Sequence, residues 1–340
     1  MDALLAPERA HQAIAKLAPR LAYQAGDTWR EEAMVRLREL LLGEGIPLHD
    51  LLTKVVQVET DLACEAYELR FMSEPGAQVI GRLFVPYCTK NTPLVICLQG
   101  HVQEGMLVSW REGEAGEKWA PTGHDLVQQV LAQGFAAFAL EQRGFGKRAD
   151  GRPADQARYG GRCHNPSMGA LLYGRTVIGE RVHDISAAIT AIGDLVQECG
   201  FPIDMNRVAC TGNSGGGTAA LYAACLDTRI KAVMPSSSLC QFDGSIAVID
   251  HCMCNYVPSI RRWFEMGDIA CLVAPRPLIV VHGEYDKIFP LSGTQEAMKT
   301  VTECYADCSA TNNLRFVVGP RGHEFYPDLA WPQFRSATGW

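Results

Sequence analysis

The chain has 340 residues, 47% of them hydrophobic, and a formal net charge of −7. That apolar content can bury a large core, in one enlarged domain or two. The acidic balance and the scattered basic residues argue against a nucleic-acid surface, and no apolar run approaches membrane-spanning length.

Residues 1–50 read as a helical N-terminal extension, with Ala13, Ile14, Leu17 and Leu21, then Met34, Val35, Leu37 and Leu41, at roughly helical spacing. The opening Met1-Asp2-Ala3-Leu4-Leu5 lacks the basic start and apolar run of a secretion signal. From residue 53 the period shifts to strands, at 54–59, 66–72 and 79–85, with Glu74-Pro75-Gly76 as a turn. These predict antiparallel strands leading into the main sheet. The run 93–98 is continuously apolar, as in a strand buried on both faces. A helix over 125–133 and a strand over 135–140 follow, an alternation that implies a mainly parallel sheet covered by helices. Two loops, 101–124 and 145–175, are longer than plain connections need and read as functional walls or lids. The clearest helix carries Ile178, Val182, Ile185, Ile189, Ile192 and Val196 at steps of four and three. After it come strands at 207–210, 230–234, 277–281 and 314–318, a helix at 216–226, an insertion over 236–269 and a helix over 292–305. The 13 cysteines sit mostly in apolar stretches, as with Cys97, Cys210 and Cys225, and read as small hydrophobes of a reducing cytoplasm.

The run Thr211-Gly212-Asn213-Ser214-Gly215-Gly216-Gly217-Thr218 joins a strand to a small-residue helix. It fits Gly-x-Ser-x-Gly, a sharp turn that lifts a serine hydroxyl above the sheet edge. A phosphate-binding loop would need a lysine before Thr218, and a dinucleotide fingerprint would normally sit in the first strand-turn-helix unit of its domain. The later strands run into Asp286 and His323, so a serine, an acid and a histidine follow in that order, each just past a strand's carboxyl end. A serine hydroxyl becomes a nucleophile when an imidazole takes its proton, and a carboxylate holds that imidazole's tautomer. Glu284 is the rival acid. The expected oxyanion donors are backbone N–H groups, one from Gly215 and one from His101, with Val102 as alternative to the latter.

Arg143-Gly144-Phe145-Gly146, Gly212 to Gly217, His251 to Pro258, Ala274-Pro275-Arg276-Pro277, Gly283 to Asp286 and Gly322-His323 together resemble the α/β-hydrolase superfamily, within it the dienelactone hydrolase and acetyl xylan esterase-like group. The resemblance spans roughly residues 80–325. It implies an α/β-hydrolase fold at 51–340 and a serine carboxylesterase or deacetylase using Ser214, Asp286 and His323, with a small ester as substrate and no metal or other cofactor. Gln99-Gly100 stands where the group commonly has His-Gly, which bears on the oxyanion assignment.

Several residues admit a second reading. His251, Cys252 and Cys254 suggest a metal cluster, but Cys-x-Cys with one histidine lacks the usual ligand spacings, so none is expected. Arg143 fits loop pinning better than substrate contact. Trp110, Trp119 and Trp263 could line a site but fit ordinary packing. A peptidase or amidase on the same trio, and a non-catalytic ligand-binding protein of this fold, are the alternative functions. The N-terminal helices and the 236–269 insertion are the surfaces that would suit a homo-oligomer.

Overall fold

The computed structural model of the chain describes residues 17–46, 49–87, 91–102, 104–110, 113–149 and 163–340. Ala13 and Ile14 of the first expected helix lie outside these, and residues 17–26 run as turns and irregular chain rather than helix. Helix α1 (Asp27–Leu42) buries Trp29, Ala33, Leu37 and Leu41. Their four-residue spacing stacks them on one face, which packs into the main core.

Three antiparallel strands follow, β1 (Lys54–Val58), β2 (Cys64–Glu74) and β3 (Ala77–Pro86). Next come β4 (Thr92–Leu98), α2 (Gly113–Trp119), α3 (Leu126–Ala132) and β5 (Ala136–Leu140). All seven residues of β4 are buried, as its unbroken apolar run predicts. The chain continues through α4 (His164–Leu172), α5 (Val177–Cys199), β6 (Ile203–Asn213), α6 (Gly215–Leu226) and β7 (Ile230–Ser236). It ends with α7 (Ile260–Trp263), α8 (Met266–Cys271), β8 (Leu278–Gly283), α9 (Leu291–Asp307), β9 (Leu314–Gly319) and α10 (Pro327–Thr338).

The nine strands among the described residues form one sheet in the order β1-β2-β3-β5-β4-β6-β7-β8-β9. β3 pairs antiparallel with β5, and every pairing from β5 through β4 to β9 is parallel. Side chains alternate across the sheet. Leu94, Ile96 and Leu98 face α1, α5, α6, α8 and α9, whereas Val95 and Cys97 face α3 and α10. The result is three layers, with the carboxyl ends of β4, β6, β8 and β9 gathered along one edge.

Helix α10 has no counterpart among the sequence expectations because Pro332 interrupts it. Buried Ala330, Trp331 and Phe334 offset the lost backbone bond, and Trp331 Nε1 donates to Gln129 Oε1 at 3.1 Å, tying α10 to α3.

Arg143 does pin loops. Its guanidinium pairs with Asp184 Oδ1 at 2.9 Å, Glu74 at 2.7 Å and Glu180 at 3.0 Å, while Arg148 reaches Asp184 Oδ2 at 2.7 Å. The network joins the loop after β5 to β2 and α5. Asp184 is wholly buried, so Asp184→Ala would leave two arginines short of an anion. Its cost should be about 3–5 kcal/mol in denaturant unfolding, and a loss within about 0.5 kcal/mol of zero, typical of a surface change, would contradict this role.

Candidate active site

Ser214 stands between β6 and α6 with φ 55° and ψ −124°, a positive φ that a non-glycine residue holds only under strain. The flanking glycines are needed for close approach. A Cβ on Gly212 would come within 2.5 Å of the Gly216 backbone, and one on Gly216 within 2.1 Å of Leu98 O. The turn is therefore squeezed between β4 and its own helix, and the Ser214 N–H is tied to Ser236 O at 2.9 Å.

His323, on the loop after β9, donates from Nδ1 to Asp286 Oδ2 at 2.8 Å. Asp286, past β8, is buried, and its Oδ1 accepts the N–H groups of Ile288 at 2.8 Å and Phe289 at 3.0 Å. Burial pushes the Asp286 carboxyl up, but the His323 hydrogen bond and charge and these two N–H groups outweigh it and hold it below its ordinary value. The Phe289 ring stacks on His323 with centroids 6.0 Å apart. Glu284, the rival acid, is exposed instead.

Both Ser214 and His323 line a cavity of about 340 Å³, together with Gly100, His101 and Val102 from the loop after β4. The Val102 N–H is spent on Gly100 O at 2.8 Å. Among the described residues no acceptor is matched to the N–H of His101 or of Gly215, the first residue of α6. Among the described residues the His101 N–H is thus unspent on a residue of the cavity wall, and the Gly215 N–H is unspent at the start of α6, directly after Ser214.

Trp119 lines the cavity, whereas Trp110 packs on Phe84 and Trp263 lies under Arg20 and Arg36. Sequence reasoning gave no role to His124 or Ile288, which also line it, as do Asn213 of the serine turn and Asp250 and Asn255 of the 236–269 insertion. His124 is bonded through Nδ1 to Thr122 Oγ1 at 2.9 Å, and burial, with the nearby His323, pushes it down to about 4. Nothing in a lone histidine past a loop marks such a position; only the fold brings it beside Asn213. His251 also lines the cavity and bonds Ser245 Oγ at 2.9 Å.

Below the loop after β4, buried Glu141 accepts Gln99 Nε2 at 2.9 Å and the Met106 N–H at 3.0 Å. Burial pushes Glu141 up to about 7 against the pull of the Met106 and Lys147 N–H groups. In the unfolded chain a glutamate ionises near about 4.3. Between those values the native state keeps a proton that the unfolded chain has lost. Stability should therefore fall as pH rises through that window, by at most about 1.4 kcal/mol per unit, and level off above it. Glu141→Gln should flatten this slope in denaturant midpoints, and an unchanged slope would contradict the assignment.

The acetyl xylan esterase (AXE1) family model matches residues 47–268, a stretch that holds Ser214 and ends before Asp286 and His323. YtaP of Bacillus subtilis (strain 168), a protein named as a hydrolase, is 28% identical over 200 residues, covering 57% of this chain and 61% of its own length. The match thus spans less than two thirds of that relative. Among solved structures, a protein of Bacteroides fragilis NCTC 9343 named as an acetyl xylan esterase superposes with TM-score 0.71 at 16% identity, covering 98% of this chain and 90% of its own. A glucuronoyl esterase from Solibacter usitatus gives TM-score 0.66 at 14% identity, covering 95% and 96%. These likenesses identify the fold as that of the α/β hydrolases. No helix among the described residues is long and apolar enough to cross a membrane. With a family model matching residues 47–268, well over half of its length, the chain belongs to the acetyl xylan esterase (AXE1) family.

Proposed function

We propose that the protein hydrolyses small carboxylic esters of the acetyl type through an acyl-enzyme on Ser214. The observation that carries this reading is the His323–Asp286 hydrogen bond of 2.8 Å on a histidine that shares one cavity with a strained Ser214. Ser214 Oγ attacks the ester carbonyl while His323, held through Nδ1 by Asp286, takes the hydroxyl proton on Nε2. The N–H groups of Gly215 and His101 receive the oxyanion, each donor being worth about 3 kcal/mol when well placed. His323 then protonates the leaving alcohol, and water attacks the acyl group by the reverse proton path. Asp286 stays ionised throughout and offsets the imidazolium charge.

The cavity supports a short acyl group and a polar alcohol. Its wall carries Asn213, Asp250, His251 and Asn255 beside Ser214, with Val102, Trp119 and Ile288 as the apolar contacts. The buried Trp119 Nε1 and Asn255 Oδ1 have no partner among the described residues, which suits an alcohol bearing hydroxyls. In a series of 4-nitrophenyl esters, kcat/KM for acetate should exceed that for octanoate by roughly tenfold or more, the factor that about 1.4 kcal/mol of transition-state binding supplies. A preference for octanoate would contradict the reading. A reducing cytoplasm is the proposed location, supported by the twelve described cysteines, all free thiols.

A further inference from the structure

Beside the cavity the fold gathers four metal-ligating side chains from three separate segments. His101 follows β4, Cys163 stands directly before α4, and Cys252 and Cys254 flank Met253 after β7. His101 Nε2 and the three Sγ atoms all lie within 4.8 Å of one another. His101 Nε2 is 3.0 Å from Cys254 Sγ, and the Cys252 and Cys254 sulfurs are 3.4 Å apart. A tetrahedral zinc ion with three sulfur ligands and one nitrogen has ligand–ligand edges of roughly 3.5–3.8 Å. These two separations fall short of those edges while the whole set spans no more than 4.8 Å, so an ion would spread the two close pairs by roughly half an ångström.

The surroundings match such an ion in charge and shape. Arg181 is wholly buried, and its Nη1 and Nη2 face the sulfurs of Cys254 and Cys163, each at 3.4 Å. Its remaining bonds go to Arg143 O, at 2.9 and 2.7 Å, and its guanidinium lies over the Phe145 ring at 4.3 Å. Among the described residues no carboxylate pairs with it. A buried guanidinium needs an anion, and the groups facing it are thiols. Three thiolates, one divalent ion and one guanidinium balance in charge. Glycines keep other side chains out: a Cβ on Gly144 would meet Cys163 Sγ at 2.7 Å, and one on Gly215 would meet His101 Cε1 at 2.6 Å.

We propose that His101, Cys163, Cys252 and Cys254 form a structural zinc site. Thiolate and imidazole donors in a tetrahedral set select zinc, and four protein ligands leave no position open for water or substrate. The ion positions rather than reacts: it ties the loop that carries the His101 N–H to the segment before α4 and to the insertion after β7, whose Asp250, His251 and Asn255 line the cavity. Spacing along the sequence hides this site, because the nearest histidine, His251, is bonded to Ser245, and the fourth ligand comes from before α4.

The test is metal content of the full chain, purified under reducing conditions and dialysed against metal-free buffer. One zinc per chain is expected, released when the thiols are blocked by a mercurial. Protein stripped with a chelator and given Co²⁺ should show the visible bands of tetrahedral cobalt with sulfur-to-cobalt charge transfer, a readout that needs no variant. Cys163→Ser and Cys254→Ser should each lower zinc affinity by more than the roughly 10- to 100-fold that losing an outer partner costs. A folded, fully reduced wild type that takes neither zinc nor cobalt would overturn the proposal. So would cobalt bound without sulfur charge transfer, or zinc held at wild-type affinity by both variants.

Discussion

Ser214→Ala should lower kcat for an acetyl ester by roughly a millionfold, by the scale seen when a hydrolase loses its serine nucleophile. The fold should survive. Alanine keeps the Cβ that Ser214 already carries at φ 55°, so the strained turn gains no new clash, and the tie from its N–H to Ser236 O is a backbone bond. What remains should be the modest catalysis of binding and the oxyanion donors, with KM little changed. Steady-state kinetics beside circular dichroism check both halves, and turnover within about tenfold of wild type in a folded variant would remove Ser214 from the mechanism.

Asp286→Asn should cost roughly 10⁴-fold in kcat, although it changes one atom. Asp286 Oδ1 accepts two backbone N–H groups, at 2.8 and 3.0 Å, so an asparagine would keep its carbonyl oxygen there and turn its amide nitrogen toward His323 Nδ1. Two donors cannot face each other, so the ring would shift its proton to Nε2, the atom that must receive the serine proton. Burial strengthens the effect, since Asp286 has no water to substitute for the lost acceptor. Glu284→Gln is the control, because that exposed side chain lies outside the pair and its loss should leave kcat within about twofold.

The parts of the site that lay in short, ordered sequence were legible. Gly212, Ser214 and Gly216 announce the turn because only glycine fits against Leu98 O and the Gly216 backbone, and the apolar strands before Asp286 and His323 place those residues at strand ends. The sequence favours Asp286 over its rival Glu284, and the structure adds the reason: both follow the same strand, but only Asp286 is turned inward. His124 carries no local signal, because its place on the wall depends on how its loop folds back. Helix α10 was hidden by Pro332, whose breaking tendency is overridden by the burial of Trp331 and Phe334. The four-ligand cluster was hidden for the same reason as His124: its members come from loops that meet only once the sheet is formed.

The most direct test of the central claim is the intact mass of the protein after treatment with a fluorophosphonate, with Ser214→Ala alongside. A single adduct on the wild type and none on the variant is the predicted result, because only a hydroxyl activated by a neighbouring histidine reacts at a useful rate. A folded wild type that takes no adduct, or a variant labelled as fully as the wild type, would contradict the assignment of Ser214 as the nucleophile.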